Sequence, residues 1–194
     1  AHNNGGGDGH VRIYNYNGTT WTQIGSDIDG TTSDDELGKS VAINDDGTIV
    51  AIGADSNDDN GTNSGKALVY HYHNNSWIQK GNTLKGNTYD RFGGTIDING
   101  EGDIIVVGAI YGKKQTSATG ITHDYGFARV FQYNGVEWVQ IGVDIEAEIR
   151  HDYVSSVKLS NDGTVVGVGF SSNDDAGENA GKVRILQARN NVLQ

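Results

Sequence analysis

The sequence predicts an all-β fold made of β-propeller blades of four antiparallel strands, with about three and a half blades in the 194 residues. Three observations support this prediction: a repeat marked by tryptophan, strands that alternate apolar and polar residues, and a composition suited to tight turns. The chain has 29 glycines, many Asn, Asp and Thr residues and no proline, which favours short strands joined by polar turns. No segment competes as a helix.

A tryptophan phrase occurs three times. It reads W-T-Q-I-G, W-I-Q-K-G and W-V-Q-I-G, beginning at Trp21, Trp77 and Trp138, and the spacings are 56 and 61 positions. The aligned strand-like segments that precede the phrases are residues 10–17, 66–73 and 127–134. Recurrence at such a period is typical of repeat architectures, so the copies predict one structural unit used repeatedly.

Each copy continues with a hairpin. Alternating residues predict a half-buried strand, Asn, Asp and Gly form a turn, and a nearly continuous apolar strand predicts burial on both faces. The alternating strands are residues 38–43, 93–98 and 154–159, the turns 44–47, 99–102 and 160–163, and the returning strands 48–53, 103–108 and 164–169. Four strands in about 55–60 residues match the strand count of one propeller blade.

The period divides the chain into a half blade (1–29), two blades (30–85 and 86–146) and a last blade (147–194) with a degenerate end. Residues 191–194 offer only a weak fourth strand without tryptophan. Propellers usually have about four to eight blades, so we expect the terminal blades to expose strand edges and apolar faces. Another copy of the chain, or missing blades of a longer parent chain, would cover them.

Charge and hydropathy argue against two classes of partner. The formal net charge is −11 and no basic stripe is present, so nucleic acid is not expected. No apolar run approaches the roughly 18–20 residues of a membrane-spanning helix, so no membrane span is expected. The chain has no cysteine, which excludes disulfides and thiolate chemistry.

One repeat resembles a known family. Residues 37–54 read L-G-K-S-V-A-I-N-D-D-G-T-I-V-A-I-G-A and, with G-K-A-L-V-Y at 65–70, resemble the FG-GAP repeat of integrin-type β-propellers. The second copy retains Phe92 and Gly93. The resemblance implies a radial array of blades in an extracellular or cell-surface protein that serves adhesion and recognition rather than catalysis. The family's calcium loop is not carried over, because the connection between the first two strands is only the short turn 44–47 and its counterparts.

A second acidic loop recurs at residues 57–65 and 173–181 with the pattern N-D-D-x-G-x-N-x-G. Clustered carboxylate and amide oxygens suit Ca²⁺, which takes about six to eight oxygen ligands. The candidate ligands are Asp55, Asn57, Asp59 and Asn63 in the first loop and Asn173, Asp175, Glu178 and Asn179 in the second. The alternative is that these side chains only stabilise turns. The middle counterpart, residues 112–120, has lysines in place of the acids, which excludes a metal there.

The remaining candidates favour packing or turns over chemistry. The tryptophans could stack on sugars, but one per repeat is typical of packing between blades. His71 and His73 share a strand face, yet no third zinc ligand can be named. Carboxylates before the first strand of each blade could pair for acid–base chemistry, although their repetition favours a turn role; they are Asp34, Asp35, Asp90 and Asp152. No nucleophile is found, and we do not expect an enzyme.

The predicted function is that of an extracellular structural or adhesive propeller segment. Residues 54–65, 110–125 and 170–181 connect the same two strand positions, so we expect these loops to gather on one rim and to serve recognition on a fixed scaffold. Self-assembly through exposed blade edges is a variant of this hypothesis. A lectin that binds glycans between blades is the alternative, and a hydrolase or lyase with catalytic groups in missing blades is a third possibility.

Overall fold

The computed structural model describes residues 7–115, 122–189 and 192–193, with the backbone alone at residues 113–115, 122–124, 188–189 and 192–193. The described residues form seventeen β-strands and no helix. Accordingly, this part of the chain offers no helix of the length and hydropathy that crossing a membrane requires.

The first sheet pairs form a half blade, two strand positions wide. Its strands are β1 (His10–Val11), β2 (Tyr14–Tyr16), β3 (Trp21–Gln23) and β4 (Ile28–Asp29). β1 pairs with β4 and β2 with β3, both antiparallel. Each of the two strand positions is therefore interrupted once.

The first complete sheet, called the first blade, is an antiparallel meander. Its strands are β5 (Ser40–Ile43), β6 (Ile49–Ala54), β7 (Lys66–His73), β8 (Ser76–Gln79) and β9 (Leu84–Lys85). The order is β5-β6-β7-β8, and β9 pairs with the beginning of β7. β8 and β9 together occupy the fourth strand position.

The middle blade and the last blade repeat this order with four strands each. The middle blade contains β10 (Phe92–Ile98), β11 (Ile104–Gln115), β12 (Thr122–Tyr133) and β13 (Trp138–Glu146), and the last blade contains β14 (Val154–Leu159), β15 (Val165–Phe170), β16 (Lys182–Arg189) and β17 (Val192–Leu193). The prediction of an all-β fold of four-stranded antiparallel propeller blades is confirmed.

One connection predicted as a loop is formed largely by strands. Residues 110–125 were expected to be a loop, but β11 and β12 continue pairing through this region to Gln115 and Thr122. A register shift between Ala109 and Gly112 accommodates the extension. Aromatic and β-branched residues on both strands, such as Tyr111, favour strand conformation there.

Neighbouring sheets pack face to face. Ile96 of β10 shares an apolar cluster with Ala51 and Val69 of the first blade. Val157 of β14 shares a second cluster with Val130 of the middle blade, and a third cluster joins the half blade to the first blade. The returning strands β6 and β11 are buried as predicted, because a neighbouring sheet covers each of their faces. β15 alternates buried and half-buried residues, because in the last blade only one face is covered.

The segment that leads into the first strand of each blade also bonds the preceding blade. Its first residue donates a backbone hydrogen bond to a glycine carbonyl at the start of the third strand position of that preceding blade. The three equivalent bonds run from Gly30 N to Gly9 O (2.9 Å), from Gly86 N to Gly65 O (3.1 Å) and from Ala147 N to Gly126 O (2.8 Å). At Gly65 a β-carbon would lie 2.1 Å from the Phe92 carbonyl oxygen, so the close approach of the two backbones requires glycine.

Candidate functional site

The connections between the second and third strand positions lie at the same end of successive blades, because every blade has the same antiparallel strand order. They are the compact loops 55–65 and 171–181 in the first and last blades, and the extended β11–β12 hairpin in the middle blade. This end of the array also contains the segments that lead into the first strand of each blade. We call residues 30–39, 86–91 and 147–153 the leading segments of the first, middle and last blades. The candidate site is therefore built from loop and leading-segment residues.

A buried lysine lies beneath the first loop. Lys66 begins β7, and its Nζ donates to Asp35 Oδ2 at 2.9 Å and to Asp59 Oδ2 at 3.2 Å. The side chains of Lys66 and Asp35 are only 6% and 1% exposed. A desolvated ammonium group requires such partners, so the two carboxylates offset the cost of its burial. We call Lys66, Asp35 and Asp59 the lysine site of the first blade.

Asn57 connects the lysine site to the loop. Its Nδ2 donates to Asp35 Oδ1 at 2.7 Å, and its Oδ1 accepts the Asp59 N–H at 3.1 Å. Its backbone carbonyl accepts Ser64 Oγ at 3.0 Å and Gly65 N at 2.9 Å. Both ends of the amide are thus occupied by protein groups, and Asn57 fixes the loop as an Asx turn does.

The last blade repeats these contacts in a more open form. Asn173 Nδ2 donates to Asp152 Oδ2 at 2.6 Å and Asn173 Oδ1 accepts Asp175 N at 3.1 Å. Lys182 Nζ donates hydrogen bonds to Asp175 and Glu148, and we call these three residues the lysine site of the last blade. These hydrogen bonds raise the pKa of Lys182 above its ordinary value. Asp152 keeps one buried carboxylate oxygen without a hydrogen-bond partner in the described part of the chain.

The predicted calcium ligands are brought near one another, but several already bond protein groups. Burial opposes ionisation of Asp59, yet hydrogen bonds from Lys66 and the Asn57 side chain outweigh it and lower its pKa. Asn63 lies at a positive φ of 47° and its N–H donates to Asp58, as Asn179 N–H donates to Asp174. Glu178, the remaining candidate, is exposed in the second loop.

Asp55 differs from the other candidates because it is fully buried and poorly paired. One of its oxygens has no hydrogen-bond partner within the described residues, and the nearest charge is Arg91 Nη1 at 3.8 Å. Burial raises the pKa of Asp55 despite the opposing charges of Lys39 and Arg91. No cluster of three or more His, Cys, Asp or Glu side chains suited to a metal occurs in the described ranges. Calcium binding by these loops, which also involves amide oxygens, stays a prediction.

In the middle blade an aromatic ring replaces the lysine. Phe127 pairs with Glu146 in the same register in which Lys66 pairs with Lys85. The guanidinium of Arg129 lies 5.0 Å from the centroid of the Phe127 ring and binds both oxygens of Asp144 at 2.8 and 2.6 Å. These hydrogen bonds raise the pKa of Arg129 further.

A cavity of about 130 Å³ opens beside Phe127. Its wall includes Asn87 and Asp90, which belong to the leading segment of the middle blade, and Asp144 and Glu146, which belong to β13. Asp90 is 3% exposed and its Oδ2 accepts the Asn87 N–H at 2.7 Å. The described wall of this cavity in the middle blade therefore carries the carboxylates of Asp90, Asp144 and Glu146 and the guanidinium of Arg129.

Two of the three tryptophans pack between blades, as predicted. Trp77 Nε1 donates to Ile24 O at 3.0 Å and Trp138 Nε1 donates to Lys80 O at 2.8 Å. Each acceptor belongs to the preceding blade. Trp21, in the half blade, is 69% exposed.

Sequence reasoning did not find Lys66 and Lys182. It assigned Asp35, the buried partner of Lys66, only a turn role, and it did not single out Glu148, a partner of Lys182. A signal was present, because both lysines directly follow the last glycine of the recurring loop pattern. The pairing itself joins residues 31 positions apart in the first blade. No local pattern specifies which of the neighbouring acids meets the lysine.

Repeated four-stranded sheets that pack face to face and share tryptophan contacts define a β-propeller repeat protein. Within this class, residues 27–70 match the family model of the FG-GAP repeat. That range covers β4 to β7 and contains the segment whose resemblance the sequence showed. The match supports an FG-GAP-like repeat in this part of the chain.

Comparison with solved structures finds similar folds at low identity. The periplasmic gluconolactonase PpgL of Pseudomonas aeruginosa has a TM-score of 0.50 and 14% identity, with 91% of this chain and 45% of that chain covered. The tricorn protease has a TM-score of 0.49 and 12% identity, with 94% of this chain and 16% of that chain covered. The chain thus spans less than half of either protein, and the likeness to PpgL concerns the fold alone. A search of curated proteins finds no match.

Proposed function

We propose that this chain is an extracellular structural or adhesive propeller segment whose blades present differing loops to a protein or glycan ligand. The observation that carries the proposal is that the three blades share one strand order but differ at one end. Lysine sites close compact loops in the first and last blades, whereas the middle blade has a long hairpin beside an acidic cavity. Variation on a fixed scaffold is typical of recognition surfaces.

Assembly with a further blade is part of the same proposal. Val183 and Ile185 on β16 are 69% and 68% exposed, whereas their counterparts Ala67 and Val69 in the first blade are 0% and 1% exposed. The next sheet covers the counterparts, so the last blade presents an apolar face of the kind that marks interaction sites. The partner would be another copy of the chain or missing blades of a longer parent chain.

Sedimentation velocity over a concentration series tests the assembly. We expect the purified chain to self-associate and Val183→Lys with Ile185→Lys to abolish the association, because the substitutions place charges on the apolar face. Val143→Lys is the matched control, since Val143 is also exposed, at 78%, but lies on β13. A stable monomer at every concentration contradicts assembly by copies of this chain.

Ligand recognition is tested by binding assays with the chain immobilised through one terminus. We expect extracellular matrix or cell-surface proteins to be retained through the loop end, so that grafting the compact first loop in place of the hairpin reduces binding. Binding restricted to a glycan array would favour the lectin. Absence of both kinds of ligand, in a chain that assembles, leaves a purely structural role and contradicts recognition.

A further inference from the structure

The compact loop of the last blade has the same internal hydrogen bonds as the compact loop of the first blade. In each loop an aspartate carboxylate accepts the N–H of an asparagine that lies at positive φ. These bonds run from Asn63 N to Asp58 Oδ1 and from Asn179 N to Asp174 Oδ1, both at 2.6 Å. The bonds that close the loops run from Gly65 N to Asn57 O and from Gly181 N to Asn173 O, both at 2.9 Å. The final carbonyl groups of the two loops therefore have equivalent positions.

In the first blade these final carbonyl groups bind an extended segment of the middle blade. Arg91 N donates to Asn63 O at 3.0 Å, and Phe92 N donates to Ser64 O at 3.1 Å. Gly65 and Phe92 also form a parallel β-bridge. The Phe92 side chain is fully buried in the apolar cluster between the two blades. The end of the loop is thus a row of backbone acceptors for an extended chain.

The half blade binds the leading segment of the first blade in the same way. Glu36 N donates to Gly7 O at 3.3 Å, and Leu37 N donates to Asp8 O at 3.0 Å. Gly9 and Leu37 form the parallel bridge, and the Leu37 side chain is 2% exposed. Because the two acceptor rows differ in residue type, backbone geometry determines this mode of docking.

In the last blade the equivalent row of acceptors lies open. It consists of the carbonyl groups of Asn179, Ala180 and Gly181, and no backbone N–H in the described part of the chain donates to them. Ala180 is exposed, whereas its counterpart Ser64 is buried. A preformed row of backbone acceptors beside an apolar sheet face is an arrangement that extended peptides bind by strand addition.

The two occupied rows define the chemistry of the partner segment. Each bound segment begins with a glycine, Gly30 or Gly86, because a β-carbon there would lie 2.1 or 2.2 Å from a carbonyl oxygen of the row. An apolar residue, Leu37 or Phe92, follows seven or six positions later and precedes a second glycine. A partner segment therefore carries a glycine and, six or seven residues later, an apolar side chain.

We propose that the compact loop of the last blade is a docking site for an extended polypeptide segment of this form, contributed by a further blade. Backbone N–H groups of the segment bind the open row of carbonyl groups, and its apolar side chain covers Val183, the exposed counterpart of the buried Ala67. The inference rests on the proposed assembly for the source of the segment. The docking chemistry itself rests on the two occupied rows within the chain.

The direct test is an NMR titration of the isotope-labelled chain with a synthetic peptide of residues 84–95, which includes Gly86 and Phe92. We expect saturable shifts of the backbone amides of residues 177–183, with a dissociation constant on the order of 0.1–1 mM. A peptide of the same composition in scrambled order is the control and should give no saturable shift. Equal responses to both peptides, or no response of these amides, would overturn the proposal.

Removing a single N–H from the peptide tests the backbone bonds. An ester in place of the amide at Phe92 removes the N–H that should donate to Ala180 O, and we expect it to weaken binding by about five- to tenfold. The same ester at Thr95, which lies beyond the docked segment, should leave binding unchanged. Equal affinities of the two ester peptides contradict docking through the carbonyl groups.

A matched pair of variants locates the site on the chain. Asp174→Ala removes the carboxylate that holds Asn179 and should weaken peptide binding by about tenfold. Asp58→Ala is the control and should leave binding unchanged, because it removes the equivalent carboxylate from a loop that the middle blade already covers. Amide spectra report the folding of both variants. Equal weakening by the two variants, or weakening by neither, contradicts docking on the last blade.

The outcomes separate this site from the wider assembly. If the chain self-associates in sedimentation but the peptide does not bind the loop, the docking site is wrong and assembly through the apolar face stands. If the peptide binds the loop and the chain stays monomeric, the docking site stands and copies of this chain are not its partner.

Discussion

Lys66 and Lys182 begin the third strand of their blades and each bonds the matching loop aspartate, yet one lysine is buried and the other is open. The Lys66 side chain is 6% exposed and that of Lys182 is 31% exposed. The next blade causes the difference, because its leading segment covers the first loop through bonds such as Arg91 N to Asn63 O at 3.0 Å. In the last blade residues 174–180 are exposed. A neighbouring blade thus turns a surface ion pair into part of the core.

The largest expected effect comes from removing the two lysines in turn. Lys66→Met should lower the free energy of unfolding by about 3–5 kcal/mol, because it leaves the Asp35 carboxylate buried without its cation. Lys182→Met, the matched control, should cause no measurable change, since exposed ion pairs contribute little. Urea unfolding followed by tryptophan fluorescence measures both.

Equal losses in the two variants would show that the lysine site of the last blade is covered in solution, as an assembled further blade would require.

Calcium provides a second test of the difference between the two lysines. If the first loop can hold Ca²⁺, as the sequence allowed, the ion competes with the Lys66 ammonium for Asp59. We therefore expect calcium to stabilise Lys66→Met more than the unmodified chain.

Tryptophan contacts offer a second comparison, between the middle blade and the half blade. Trp138→Phe should cost about 2 kcal/mol, because the substitution leaves the Lys80 carbonyl without its donor and removes a buried ring. Trp21→Phe should change stability little, since this side chain is 69% exposed. A large loss in Trp21→Phe would mean that the indole is buried against a partner blade in solution.

The sequence predicted the blades well and their fine contacts poorly, for physical reasons. Alternation along β5 and β10 and the tryptophan period are local signals, and the structure follows them. The extended pairing of β11 with β12 escaped prediction because it depends on two strands meeting in space. The pairing of Lys66 with Asp35 also depends on the fold, since only the sheet brings the leading segment beneath the loop.

The smallest expected effect concerns two aspartates of the first loop whose pKa values shift in opposite directions. Burial raises the pKa of Asp55, so the folded state binds its proton more tightly than the unfolded state. Stability from this group therefore falls as pH rises from about 4, the ordinary aspartate value, through the raised pKa. Hydrogen bonds from Lys66 and Asn57 outweigh burial and lower the pKa of Asp59. Its contribution is present above about pH 4 and is lost as pH falls through the lowered pKa.

Urea midpoints measured across the acidic range for Asp55→Asn and Asp59→Asn test these opposite signs. Relative to the unmodified chain, Asp55→Asn should gain stability as pH rises, because it removes a carboxylate that is costly to ionise. Asp59→Asn should lose stability relative to the unmodified chain as pH rises through the lowered pKa of Asp59 toward about 4, because it removes a carboxylate that the Lys66 ammonium favours in its charged form. Parallel pH profiles for the two variants would show that solvent reaches Asp55 as freely as Asp59, and hence that the next blade does not seal the first loop.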